Sequence, residues 1–281
     1  MAGVQTLAEH ACHGGTQGFY QHDSGVVGLP MRFGVFTPPQ ARSGPAPVLM
    51  FLAGLTCNEE TFAIKAGAQR AAAELGLVLV TPDTSPRGVD IPGADAEWDF
   101  GIGAGFYLDA TEAPWSTHFR MESWLTQELP GVVAQAFPAR PDDWSICGHS
   151  MGGHGALTLA LRHPGRYRSV SALAPIANPS RVPWGYKAFS RYLGPDSTRW
   201  QQHDAVELIA AGARTPPLLV DQGLQDKFLA QQLETDRLEA ACAAAGQPLS
   251  LRRHAAYDHG YFFIATFIAD HLCHAAAAQN G

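Results

Sequence analysis

The sequence predicts an α/β fold, a mostly parallel central sheet flanked by helices on both faces. Three observations predict it. Short apolar, β-rich runs alternate with longer Ala/Leu-rich stretches of helical spacing, with no clear break along the chain. Val48-Leu49-Met50-Phe51-Leu52 is a continuous apolar run, as a strand buried on both faces requires. Gly148-His149-Ser150-Met151-Gly152 stands where a strand pattern gives way directly to a helical one.

Taken in order, Met31 to Thr37 alternates enough to form an antiparallel strand, and Pro38-Pro39 ends it because proline cannot donate to a ladder. Val48 to Leu52 follows as a strand. Lys65 to Leu75 reads as a helix that stops at Gly76, and Leu77 to Val80 is the next strand, completing a β-α-β unit. Thr81 to Trp115 is rich in Gly, Pro and Asp, lacks periodicity and is too long for an ordinary connector, so it is expected to overhang a site. Met121 to Phe137 reads as a helix, Trp144 to Cys147 as a strand, and Met151 to His163 as a helix broken by Pro164. Ser169 to Leu173 is a strand, Pro175 to Trp200 an irregular excursion with short helices. Pro217 to Val220 and Leu249 to Arg252 are the last strands, separated by a helix from Ala230 to Ala245. Phe262 to Ala277 closes the chain as a helix.

Composition limits what such a fold does. The 281 residues are 46% hydrophobic and 16% charged, which describes a globular chain. A net charge of −7, from 19 basic and 26 acidic residues, disfavours nucleic acid and anionic membranes as partners. No window approaches the ~18 consecutive apolar residues of a membrane span. Residues Met1 to His10 lack the basic and apolar regions of a signal peptide. The five cysteines are odd in number and scattered, with no C-x-x-C pair, and read as free thiols in the cytosol rather than as metal ligands.

The Gly148-x-Ser150-x-Gly152 motif has the strand-turn-helix setting of a nucleophile elbow, where a strained serine presents its hydroxyl at the top of a sheet. A serine hydroxyl needs a base to take its proton, and an acid to orient that base, in the chain order Ser, acid, His. The strand ending at Val220 runs into Asp221 and Asp226, and the strand ending at Arg252 runs into His254, Asp258 and His259. Asp226 has the loop reach of a triad acid, whereas Asp221, at the strand end, caps or braces the turn. His259 is the better base, since His254 lies too near the strand. His149 and His154 flank the serine without easy access to its Oγ and read as packing or lining. Asp258, the immediate neighbour of His259, is better placed for a loop hydrogen bond. Oxyanion donors are expected from the Met151 N–H, at a helix N-terminus, and from the Leu55 N–H in the turn Ala53-Gly54-Leu55-Thr56-Cys57. Cys57 then lies close to the site, as an inert or a modulating thiol. These residues are scattered from Leu55 to His259, so one sheet must gather them, which predicts a single domain over residues 1–281.

Together these segments resemble the S-formylglutathione hydrolase (esterase D) family from about Met31 to Ile268. The likeness rests on Gly54-Leu55-Thr56-Cys57, Lys65 to Arg70, Trp98-Asp99-Phe100-Gly101 with Gly103 to Tyr107, and Gly148 to Gly155. It continues in Asn178-Pro179 with Pro183 to Phe189, Asp221-Gln222-Gly223 with Asp226 to Leu229, and Tyr257 to Phe263. The resemblance implies an α/β-hydrolase fold, a Ser150-Asp226-His259 triad, an oxyanion hole from Leu55 and Met151, and a dimeric cytosolic enzyme of formaldehyde detoxification. It implies no metal or organic cofactor. Gly260, His118 and Ala177 depart from the family pattern, which bears on substrate range more than on reaction type.

The implied substrate, S-formylglutathione, carries two carboxylates, and the chain has only three lysines, Lys65, Lys187 and Lys227, all within matched segments. Each is a candidate contact or an ordinary surface lysine. Trp184, Tyr186 and Phe106 are candidates to narrow the acyl pocket, or core residues. The expected activity is thioester hydrolysis through a formyl-serine. The rivals are a broad short-chain carboxylesterase, which acts on short acyl esters with the same machinery, and a non-catalytic scaffold, which has no need of three intact groups.

Overall fold

In a computed structural model of the chain, which describes residues 3–278, nine strands form one sheet. The strands are β1 (Gln5–Cys12), β2 (Gly15–Asp23), β3 (Pro30–Thr37), β4 (Ala46–Leu52), β5 (Val78–Pro82), β6 (Ala139–His149), β7 (Val170–Leu173), β8 (Leu218–Gly223) and β9 (Leu249–His254). Their spatial order is β1-β2-β3-β5-β4-β6-β7-β8-β9. β1, β2 and β3 pair antiparallel, β3 joins β5 antiparallel, and every later pairing is parallel. The C-terminal ends of β4, β6, β8 and β9 therefore open on one edge of the sheet, where ligands of α/β sheets bind.

The helices are α1 (Glu59–Lys65), α2 (Gln69–Leu75), α3 (Met121–Ser123), α4 (Leu129–Ala136), α5 (Met151–Arg162), α6 (Pro183–Tyr192), α7 (Ser197–Trp200), α8 (Ala205–Ala210), α9 (Thr235–Ala245) and α10 (Tyr261–Ala277). α5 packs on β4, β6 and β7, and α10 on β6, β7 and β8. Val48 to Leu52 is wholly buried, as its unbroken apolar run requires. Each such Leu, Met or Phe contributes about 1.5–3 kcal/mol. This mostly parallel, helix-flanked sheet is the architecture of the α/β-hydrolase fold.

Several elements differ from the sequence expectation. The hairpin β1–β2 went unseen because β1 is largely exposed and has no apolar alternation. Its two-residue turn, His13-Gly14, has positive φ at both positions (46° and 76°), as a tight hairpin demands. The helix expected over Lys65 to Leu75 is two helices. α1 starts earlier, where the Asn58 side chain accepts from the Glu60 N–H and Thr61 bonds back to the Asn58 N–H, and Gly67 (φ 66°) separates it from α2. The helix expected over Met121 to Phe137 carries a π-helical turn at Trp124–Glu128. Pro130 lacks the N–H that would bond the Thr126 carbonyl in a regular helix. The helix expected over Ala230 to Ala245 is a π-helical turn at Leu229–Leu233 followed by α9, the two separated by Glu234 in a left-handed backbone (φ 48°).

Candidate active site

Ser150 follows β6 directly and precedes α5, with φ 58° and ψ −118°. A non-glycine residue there carries about 1–3 kcal/mol of strain, which the surroundings must hold. They hold it by backbone contact. A Cβ at Gly148 would stand 2.1 Å from the Gly152 carbonyl oxygen, and one at Gly152 would stand 1.9 Å from that of Leu52. Both motif glycines are therefore required by the close approach of α5 to the strand ends.

His259 Nε2 lies 2.9 Å from Ser150 Oγ, and His259 Nδ1 lies 2.5 Å from Asp226 Oδ2. Asp226 is itself fixed by the Phe228 N–H, which donates to Oδ1 at 2.8 Å. Since the carboxylate can only accept, the imidazole proton sits on Nδ1 and Nε2 is free to accept the serine proton. The arrangement can activate the Ser150 hydroxyl as a nucleophile. Asp221 lies elsewhere in the structure. Its side chain is fully buried and accepts from Arg252 Nε at 2.6 Å, with His254 and His271 each at 3.1 Å. It braces the sheet end, and His254 braces it in turn.

His149 lines the cavity beside Ser150, with its ring centroid 4.5 Å from that of His259. Burial, reinforced by the neighbouring His259, holds the His149 pKa well below the usual range, so its ring is neutral. His154 is packing. Its Nε2 donates to the Phe106 carbonyl at 3.1 Å, and burial pushes its pKa down to about 3.

The Met151 N–H is the first of α5 and has no acceptor within the helix. Among the described residues the Leu55 N–H has no acceptor either. Gly54 lets the Leu55 turn approach: a Cβ there would stand 3.2 Å from His149 Nδ1 and 3.3 Å from Ser150 Cβ. The turn is held from outside by the Tyr107 hydroxyl, which donates to the Ala53 carbonyl at 2.7 Å, and by the Thr56 N–H, which donates to Gly103 O at 2.9 Å.

Above Ser150 and His259 lies a cavity of about 120 Å³, walled by Leu55, Cys57, Trp98, Trp184, Phe228 and Tyr261. Typical ligand sites enclose ~300–1,000 Å³, so this one suits a small acyl group with the remainder of the substrate outside. A larger surface cleft, of about 730 Å³, lies between Pro141 and Arg168 at the other ends of the strands and includes none of Ser150, Asp226 or His259. Cys57 and Trp184 thus stand in the wall. Burial raises the Cys57 thiol pKa, which keeps it protonated and a poor nucleophile at neutral pH.

Phe106 is not in the wall. It is fully buried against His154 and Phe189, and Tyr186 instead packs edge-on to Trp200. Lys187 is tied to Glu97 and, at 2.5 Å, to Asp99. Lys65 and Lys227 are exposed, and each ammonium lies over an aromatic ring of the wall: Tyr261 at 5.7 Å and Phe228 at 4.9 Å. Trp98, Phe228 and Tyr261 lay inside segments already singled out, but no local pattern marked them as wall residues.

The three departures from the family pattern are local. His118 Nδ1 bonds the Val27 carbonyl, Ala177 is buried, and Gly260 precedes α10 with extended backbone. Gly260→Ser should stabilise the protein by a few tenths of a kcal/mol, because serine caps a helix slightly better than glycine. A thermal melt measures it, and a fall of several degrees would show that the 3.2 Å approach of the new Cβ to Asp258 Oδ1 dominates.

The Esterase family model matches residues 24–274. The S-formylglutathione hydrolase of Mus musculus is 51% identical over 279 residues, and that of Rattus norvegicus 49%, each pairing covering 99% of both chains. The solved structure of an S-formylglutathione hydrolase from Agrobacterium tumefaciens superposes with a TM-score of 0.96 at 46% identity, covering 98% of this chain and 99% of that one. With the serine, histidine and aspartate gathered at the end of a parallel sheet and these likenesses spanning almost the whole length, the chain belongs to the S-formylglutathione hydrolase family of esterases.

Proposed function

We propose that this hydrolase cleaves S-formylglutathione to glutathione and formate, with Ser150, His259 and Asp226 as its triad. The contact of Ser150 Oγ with His259 Nε2, at the mouth of a cavity sized for a small acyl group, carries the reading. Ser150 Oγ attacks the thioester carbonyl while His259 Nε2 takes its proton, and Asp226 stabilises the resulting imidazolium. The Leu55 and Met151 N–H groups receive the developing oxyanion. Collapse breaks the carbon–sulfur bond, and His259 returns the proton to the departing glutathione sulfur. Water, deprotonated by His259, then attacks the formyl-serine and releases formate.

On the thiol side, Lys65 and Lys227 are proposed to meet the glutathione carboxylates, since both ammoniums flank the cavity on wall aromatics and neither has an ion-pair partner among the described residues. The proposal includes a cytosolic homodimer over a single domain. The free cysteines suit a reducing compartment, and the family resemblance supplies the dimer.

The expected result is a higher kcat/KM on S-formylglutathione than on p-nitrophenyl acetate. Lys65→Met and Lys227→Met should each lower only the thioester value, by about two- to fivefold as befits exposed charges. A preference of the wild-type enzyme for the ester would assign it as a broad short-chain carboxylesterase.

A further inference from the structure

The cavity wall includes one residue that its own burial does not hold. Trp98 is 57% exposed, yet it faces Ser150 across the cavity and packs edge-on against Trp184, ring centroids 5.7 Å apart. It lies in the long connection after β5, whose base is fixed: the Tyr192 hydroxyl accepts from the Gly101 N–H and donates to the Ala104 carbonyl, both at 3.0 Å. The tip is held differently. Glu97 and Asp99, on either side of Trp98, both pair with Lys187, and Glu97 also pairs with Arg191.

Trp184, Lys187 and Arg191 follow at i, i+3 and i+7 on α6, so they share one helix face. That face presents one aromatic wall residue to the cavity and grips the flanks of the other. Isolated exposed ion pairs contribute little, but two cations sharing two carboxylates form a network, the case in which surface charges do hold geometry. Hydrogen bonds from Lys187 and Arg191 lower the Glu97 pKa.

We infer that the Glu97/Asp99–Lys187/Arg191 network is an ionic clamp that positions Trp98 as the adjustable wall of the acyl cavity, and thereby sets the largest acyl group the enzyme accepts. With the clamp closed, Trp98 bounds the cavity of about 120 Å³ over Ser150 and favours short acyl groups. With the clamp released, Trp98 swings toward solvent about its fixed base and longer acyl chains enter. Lys187 and Arg191 act only through Trp98, so they are positioning residues. The inference rests on the assignment of Ser150 as nucleophile and of the cavity as the acyl site.

The test is the acyl-length profile, kcat/KM for p-nitrophenyl hexanoate divided by that for the acetate. Lys187→Met should raise this ratio at least about tenfold, the discrimination of one or two methylenes in a pocket. Lys187→Arg should restore the wild-type ratio, because the charge returns. Glu97→Gln with Asp99→Asn, which keeps the size of both side chains where Glu97 is 38% and Asp99 14% exposed, should raise the ratio as Lys187→Met does, and Trp98→Ala should do so with the ion pairs intact. Labelling with a fluorophosphonate separates the two levels of the argument. A wild-type enzyme not labelled at Ser150 removes the reading on which the inference rests. Labelled enzymes whose ratio is unmoved in both clamp variants overturn the clamp alone.

Discussion

Ser150→Ala lowers kcat for thioester hydrolysis by about 10⁶-fold, and Asp226→Asn lowers it by about 10⁴-fold, each with a near wild-type melting temperature. The serine supplies the only bond to the acyl group, so its loss leaves water to attack with no covalent intermediate. Alanine accepts the φ of 58° no worse than serine does, because both carry a single Cβ, so the elbow stays folded. Asparagine at position 226 keeps the size of the side chain but can turn an amide N–H toward His259 Nδ1, now 2.5 Å from a carboxylate oxygen. That favours the tautomer with its proton on Nε2, which cannot accept from Ser150. Steady-state kinetics on freshly purified variants measure both effects. A Ser150→Ala enzyme that keeps more than a few per cent of wild-type turnover would sink the triad assignment.

Asp221→Asn should do the opposite: spare turnover per folded molecule and lower stability by about 3 kcal/mol, the cost of breaking a buried ion pair. For a chain of this size that is roughly 6–12 °C in melting temperature. Burial pushes the Asp221 carboxyl pKa up, but hydrogen bonds from His271 and Arg252 outweigh it and hold the pKa well below the usual range. Burial likewise pushes His271 down, yet Cys147 and Asp221 beside it raise its pKa to about 9. The His271 contribution is complete below its unfolded pKa of ~6.5 and is lost as pH rises through about 9. The Asp221 contribution is complete above its unfolded pKa of ~3.9 and is lost as pH falls through its depressed folded value. The stability deficit of Asp221→Asn is therefore widest between about pH 4.5 and 6.5 and narrows above pH 9, without vanishing because Arg252 stays charged. Chemical denaturation at pH 6 and pH 9.5 tests this, and an equal deficit at both would remove His271 from the network. The two aspartates, five residues apart in sequence, thus divide into one that orients the base and one that holds β8, β9 and α10 together.

The order of the chemistry was readable along the chain because each component sits where a strand pattern ends. Val220 runs into the loop of Asp226, Arg252 into that of His259, and Cys147 into the elbow of Ser150. Parallel strands put those ends on one edge, so local patterns sufficed to locate distant groups. The cavity wall was not readable in the same way. Trp98 has no periodic neighbours, and its place depends on ion pairs with residues some 90 positions later, which no local pattern carries. Phe106, which by sequence suited either the wall or the core, lies in the core, fully buried against His154 and Phe189. The π-helical turn near Pro130 and the break at Gly67 escaped for a further reason. Both leave the helical composition intact and change only where hydrogen bonds go.

The floor of the site is built from main chain pressed on main chain, with Gly148 against Gly152 and Gly152 against Leu52. Not one methyl group can be added there. The walls are side chains from five separate segments, around Leu55, Trp98, Trp184, Phe228 and Tyr261, and can change size one at a time. Variation among descendants of this enzyme is therefore channelled: the reaction is inherited unchanged with the backbone, while the choice of acid remains open to single substitutions at Trp98, Trp184 and Phe228.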